Sequence, residues 1–220
     1  MKTFGIGIIG CGNIGGVHVS ALKGVPCARL VGGAEVGEER RRAFTETTGA
    51  PCYADYEELL RRPDLDAVCV CTPSGLHMEP AVAAARAGKH IICEKPLEVT
   101  LDRVDAILRE TQAHGVKLCA IFPMRFDPAA RLIKQAADAG RFGRLTMGDC
   151  YNKWWRSEKY FEKAKWRGTW KLDGGGACMN QGIHAIDLVQ WFMGPVESVC
   201  AFTERLVHPG IETEDTAAAV

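Results

Sequence analysis

Two motifs in this sequence each hold a side chain that could move a proton near neutral pH. His184 stands in "GGGACMNQGIHAID" (174–187), with Asn180 four residues before it and Asp187 three after. Lys95 stands in "CEKPL" (93–97), directly after an apolar run. An imidazole or an amine beside a reacting hydroxyl serves as general acid or base. Read as a helix, the first stretch puts Asn180 and His184 on one face. Ile183, Ile186, Leu188, Val189 and Trp191 make that helix apolar nearly all round, which predicts burial. A buried amide and imidazole need partners, and a substrate hydroxyl would be one. Asp187 reads as structural. Cys178 and His184 do not make a metal site, because two candidate ligands without H-E-x-x-H are too few.

A second constellation binds rather than reacts. "IGIIGCGNIGGVH" places Gly10, Gly12 and Gly15 in G-x-G-x-x-G spacing, after an apolar run and at the start of a helical pattern. Gly10 permits the tight turn, Gly12 lets backbone approach a pyrophosphate, and Gly15 allows close helix–strand packing. Asn13 and Ile14 fall in the first helical turn, whose N–H groups favour an anion. Glu35, 20 residues beyond Gly15, can accept hydrogen bonds from an adenosine ribose and would repel a 2′-phosphate. NAD is therefore expected over NADP. Arg40, in "ERRR" (39–42), is the counterweight, since an arginine can bind that phosphate.

These residues need a scaffold. Apolar strand-like runs at 4–9, 28–34, 66–71, 90–93 and 117–121 alternate with helical patterns at 13–24, 38–48, 76–88 and 101–114. Strand and helix in alternation predict a parallel sheet covered on both faces. The expected first domain is this α/β unit, 1–122. From 123 to 220 the character is α+β with an open, mostly antiparallel sheet. It has a helix from Pro128 to about Asp138, a strand-like stretch at 145–152, and a tryptophan-rich loop to about 172. The helix stopped by Gly194-Pro195 follows, then strand patterns at 196–207 and 215–220.

Composition narrows the function classes. The chain has 27 basic and 27 acidic residues, so it carries no charge footprint for nucleic acid or an anionic membrane. No apolar run approaches the roughly 18 residues of a membrane span. Ten cysteines without a C-x-x-C pair, several inside apolar strands, read as reduced thiols of a cytoplasmic protein.

With the glycine fingerprint, "TPSGLH" (72–77), "AGKHIICEKPL" (87–97) and "GGGACMNQGIHAIDLVQW" (174–191), the chain resembles the Gfo/Idh/MocA oxidoreductases over nearly its whole length. The resemblance implies a Rossmann domain followed by an α+β domain, and hydride transfer between a nicotinamide and a secondary hydroxyl of a sugar, cyclitol or sugar derivative. It implies Lys95 and His184 as the acid/base pair, with burial and the nicotinamide cation favouring the neutral amine of Lys95. It places Glu94, Thr72, Pro73, His77 and Arg167 near the cofactor. Arg125 and Trp166 match residues facing the ligand, and the glycines at 174–176 would let the chain pass close beneath the nicotinamide. Asn180 stands where some relatives carry aspartate, and Pro123 where many carry a polar residue. It also implies a cis Lys95–Pro96 bond. On the aromatic loop, Trp154 would wall the sugar, and Arg156 or Lys153 would bind a carboxylate or phosphate. The competing readings are an NAD-dependent glycoside-cleaving enzyme of this fold and a non-catalytic dinucleotide-sensing regulator; intact Lys95 and His184 argue against the second.

Relatives commonly exceed 300 residues, so the chain reads as C-terminally truncated, with an incomplete second sheet. Its open edge is the expected surface for homo-oligomer formation.

Overall fold

The computed structural model describes residues 2–220. The chain divides into two compact units, one ending at Ile121 and the other running from Phe122 to Val220.

The first unit is a six-stranded parallel sheet. Its strands are β1 (Phe4–Ile9), β2 (Ala28–Ala34), β3 (Cys52–Tyr53), β4 (Ala67–Val70), β5 (His90–Cys93) and β6 (Leu118–Ala120), in the order β3-β2-β1-β4-β5-β6. Strand order reverses between β1 and β4, and the crevice beyond the carboxyl ends at such a reversal is where open α/β sheets bind ligands. The helices are α1 (Asn13–Leu22), α2 (Glu38–Thr48), α3 (Tyr56–Leu60), α4 (Met78–Arg86) and α5 (Leu101–Ala113). Alternating side chains feed two cores. Val68 and Val70 join Leu59, Ala81, Ala84, Ala85 and Ile107, whereas Ala67 and Cys69 join Ile6, Ile8 and Phe44. That is the period of two expected along a strand covered on both faces. α4 and α5 are strapped by Arg86, bidentate to Glu110 at 2.9 Å through each nitrogen. Arg103 bonds both Glu79 (2.8 Å) and the buried Glu98 (2.9 Å).

The second unit holds α6 (Pro128–Asp138), α7 (Glu158–Glu162), α8 (Ile183–Met193) and an antiparallel pair, β7 (Ala201–Glu204) with β8 (Thr216–Ala219). Asp127 caps α6 by accepting from Ala129 and Ala130 N–H, with Pro128 in the first turn. The strand expected at 145–152 is absent: this stretch takes no regular structure. A strand needs a ladder partner, and no element of the described residues pairs with it. The expected burial of α8 is corrected as well. Its only buried residue is Asp187, while Ile186 is exposed, because the helix packs on α6 and the turn Pro123–Phe126 along one side. No helix of the described residues is long and apolar enough to cross a membrane, and all ten cysteines are free thiols.

Candidate active site

Beyond β1 the backbone turns at Gly10 with φ +92°, where an added Cβ would stand 2.7 Å from the Cys71 carbonyl carbon. Only glycine fits. At Gly15 a Cβ would lie 2.4 Å from Gly10 O, so α1 rests directly on the end of β1. Gly12 is different: a Cβ there meets nothing within 4 Å. No side chain caps α1 and no acid lies in its first turn. The N–H groups at Asn13, Ile14 and Gly15 and the positive end of the helix dipole are thus left for an anion, and backbone at Gly12 can come close to it. The cradle fits a dinucleotide pyrophosphate.

Glu35 directly follows β2 and is buried. Its Oε2 accepts Cys11 N–H (3.1 Å), and its Oε1 accepts Gly37 N–H (2.9 Å) and Arg40 Nη2 (2.8 Å). The acid is therefore fixed against the glycine loop. Arg40 is bonded to it rather than standing apart as a phosphate ligand. Arg41 donates to the carbonyls of Glu35 and Val36, and Arg42 faces Glu46 at 3.9 Å.

The turns after β4 and β5 lie on the same sheet edge. Thr72 Oγ1 donates to Leu76 O (2.9 Å), closing the turn through Pro73. The sequence reading puts His77 on the cofactor-lining surface; the structure puts its ring inside. His77 is 1% exposed, with Nε2 2.9 Å from Thr72 O and Nδ1 2.9 Å from Pro96 O. It braces one loop against the other, and burial lowers its pKa. Lys95 is half-buried just past β5, and the Lys95–Pro96 bond is cis.

Glu94 is held by a residue that the sequence reading missed. His18 Nε2 on α1 lies 2.8 Å from Glu94 Oε1, and Glu94 Oε2 accepts Lys95 N–H (3.3 Å). The nearby Cys69 and Cys71 sulfurs and the hydrogen-bonded Glu94 carboxylate push His18 up to about 12. Burial pushes Cys71 up to about 11. An imidazolium–carboxylate pair thus ties the phosphate-binding helix to the lysine turn. The available signal was spacing: His18 is three residues beyond Gly15, on the helix face that touches the sheet. Replacing His18 with leucine leaves Glu94 without its charged partner. The expected loss is about 1.5–3 kcal/mol, read as a lower denaturation midpoint; an unchanged midpoint would show that the pair contributes nothing.

In the second unit, the glycine run meets a steric demand of its own at Gly176. A Cβ at Gly176 would stand 1.6 Å from Glu214 O. Glu214 caps the helix start: its carboxylate accepts Gly176 N–H (2.9 Å) and Cys178 N–H (3.0 Å), and its carbonyl accepts Ala177 N–H (2.9 Å). Cys178–Gly182 then winds as a π-helical turn before α8. The regular α-helical register assumed between Asn180 and His184 does not hold. Asn180 also has protein partners where a substrate hydroxyl was expected. Its Nδ2 donates to both oxygens of Asp173 (3.1 and 3.3 Å), and its Oδ1 accepts from Tyr160 O–H and Gln181 Nε2, each at 3.0 Å. Asp173 is 2% exposed and also accepts Gly168 N–H (2.8 Å).

His184 is half-buried and lines a cavity with Tyr151, Asn152, Lys153, Trp154 and Gln181. Asn152 and Gln181 were not singled out from sequence, although each neighbours a residue that was. Arg125 is bonded through Nε (2.7 Å) and Nη2 (2.5 Å) to Asp187, between the rings of Phe122 and Trp191. That pair anchors α8 to the 123–126 turn and occupies the guanidinium expected at the substrate. No group of three or more metal-ligating side chains occurs among the described residues.

Comparison with known proteins fits this geometry. The profile of the oxidoreductase family with an NAD-binding Rossmann fold matches residues 4–122, and that of the GFO/IDH/MocA C-terminal domain matches 130–220. Myo-inositol 2-dehydrogenase of Thermotoga maritima is 34% identical over 213 residues, covering 94% of this chain and 60% of that protein. A 2,7-anhydro-N-acetylneuraminate hydratase of Mediterraneibacter gnavus is 30% identical, covering 96% of this chain and 55% of its own length. The crystal structure of the WlbA dehydrogenase from Bordetella pertussis, in complex with NADH and UDP-GlcNAcA, superposes with a TM-score of 0.95 at 36% identity, over 99% of this chain and 66% of that one. The chain thus spans about 60% of the length of the first of these relatives. With both domain profiles matched in order, the chain belongs to the GFO/IDH/MocA family of oxidoreductases.

Proposed function

We propose that the protein transfers hydride between NAD and a secondary hydroxyl of a sugar, cyclitol or sugar derivative. The observation that carries this is the half-buried Lys95 at the carboxyl end of β5, on the same sheet edge as the Gly10–Gly15 cradle. NAD, when bound, supplies the hydride chemistry. The chain's own residues hold it and manage the proton. Gly12 and the first turn of α1 receive the pyrophosphate, and Glu35 receives the adenosine ribose. Lys95 Nζ takes the proton from the substrate hydroxyl oxygen, or returns it in the reverse direction, with His184 as its partner in acid–base exchange. Thr72, Pro73 and Glu94 shape the nicotinamide end, and Trp154 and Trp166 offer faces to the sugar ring. The exposed β7–β8 pair is the proposed contact between copies.

The test is NADH formation by a full-length form of the protein against a panel of sugars, uronates and inositols. Release of NADH with any of them supports the reading. The hydratase among the relatives favours one other outcome: substrate consumed while NAD stays bound and no NADH accumulates. No conversion at all would overturn both.

NAD should bind at least about tenfold more tightly than NADP, ~1.4 kcal/mol. Glu35 meets the 2′ position with a carboxylate, and Arg40 is already bonded to that carboxylate. Comparing the two dissociation constants checks this; tighter NADP binding would transfer the decision to Arg40.

A further inference from the structure

We infer that Arg156 and Arg167 form an oxyanion subsite around the ring of Tyr160, so that the substrate carries a carboxylate or phosphate group in addition to the hydroxyl it reacts at. This rests on the sugar-oxidising reading above and narrows its substrate class.

Both guanidinium groups stand against one phenol. The Arg167 centre is 3.9 Å from the Tyr160 ring centroid and the Arg156 centre 4.6 Å. Arg156 also meets Trp154 at 5.2 Å, and Arg167 meets Trp166 at 5.6 Å. Two like charges on one ring repel, and ring stacking offsets only part of that. Arg29, Arg40, Arg62, Arg86, Arg103 and Arg125 each pair with a carboxylate, and among the described residues Arg156 and Arg167 have no such ion pair. Arg167 has one hydrogen bond, from Nη1 to Tyr160 O (2.8 Å). The Nε atoms of both Arg156 and Arg167 are buried without a hydrogen-bond partner in the described residues. The nearby Glu158 is turned to His208 at 2.7 Å, and Asp173 to Asn180.

A buried N–H calls for an acceptor. Guanidinium planes lying against aromatic faces keep their N–H edges in plane, the geometry that takes an oxyanion through two bonds. The place is connected to the cavity lined by His184. Trp154 belongs to that cavity's wall and touches Arg156. Tyr160 O–H bonds Asn180, whose amide oxygen also holds Gln181 of the same wall. An acidic substituent extending from a sugar ring in the cavity past Trp154 would meet Arg156 first. Arg167, which family resemblance assigns to the cofactor, is thereby assigned to the substrate.

The experiment titrates the chain calorimetrically with glucuronate, glucose 1-phosphate and glucose, with NAD as a folding control. The parent chain is compared with Arg156→Gln, Arg167→Gln and the charge-retaining Arg156→Lys. At least one anion should bind tenfold or more tightly than glucose, less so at high salt. Which anion does so identifies the carboxylate or the phosphate as the group read. Each glutamine variant should lose that preference at least tenfold, with NAD affinity within about twofold of the parent, and Arg156→Lys should keep part of it. The inference is overturned if neither anion outbinds glucose, if both glutamine variants keep the preference, or if Arg167→Gln weakens NAD instead. Anion binding as described without oxidation of any sugar would leave the subsite standing and sink the reaction. Oxidation of a neutral sugar without anion preference would do the reverse.

Discussion

Lys95→Ala should lower turnover by about 10²–10⁴-fold, the usual contribution of a general acid–base group, while NAD affinity stays close to that of the parent chain. The asymmetry follows from where the binding elements lie. The pyrophosphate cradle is built from backbone at Gly10, Gly12 and Gly15 and from the uncapped start of α1, and the ribose acid is Glu35. None of these depends on the Lys95 amine. His184→Ala should show the same split, since its ring lines a cavity in the other unit. Turnover and the NAD dissociation constant must be measured separately, because a loss in both would point to a disturbed fold. Near-normal turnover in either variant would remove that residue from the acid–base pair.

The largest expected effect on stability is that of Gly176→Ala. The new methyl would need the space of Glu214 O, 1.6 Å away, and would press on Glu214 C at 2.7 Å and Thr213 Oγ1 at 2.9 Å. Backbone cannot rotate out of the way as a side chain can. The two segments must part, and with them go the three hydrogen bonds that Glu214 accepts from residues 176–178. Overpacking alone costs about 1–3 kcal/mol, and a lost cap adds about 1. Against a typical stability of about 5–15 kcal/mol, a loss of about 2–4 kcal/mol should clearly lower the denaturation midpoint of the second unit. All five tryptophans, at 154, 155, 166, 170 and 191, lie in that unit, so their fluorescence reports it selectively during denaturation. A midpoint equal to the parent's would mean that the close passage is not real. Gly12→Ala is the natural control, because its methyl meets no atom within 4 Å.

The first unit was largely legible in the sequence because its signals are local. Strands covered on both faces must be continuous apolar runs, and the runs at 4–9, 28–34 and 90–93 coincide with β1, β2 and β5. β3, two residues long, and α3, five residues long, escaped notice, since neither spans enough chain to show a period. The glycine cradle was legible because steric demand on a backbone leaves no alternative residue. Side-chain roles were not. His77 answers to Pro96, 19 residues on, and His18 to Glu94, 76 residues on. Asn180 looked in need of a ligand because Asp173 and Tyr160, its partners, lie outside the helix that carries it. In the second unit the run at 145–152 has strand composition but no neighbour to pair with, which no local pattern reveals.

The π-helical turn at Cys178–Gly182 has a consequence for how this segment is compared and altered. An α-helix advances about 100° per residue, so one residue more in a turn acts as a phase shift for everything that follows. The angular setting of His184 toward its cavity, and of Asp187 toward Arg125, is therefore fixed relative to Asp173 by a single insertion in the winding. An alignment that closes a one-residue gap here would match faces about 100° apart and equate groups that do not correspond. A one-residue deletion between 178 and 182 would not merely shorten the helix. With the Glu214 cap held in place, it would swing the histidine and the aspartate off their partners together, leaving every side chain of α8 intact and wrongly aimed.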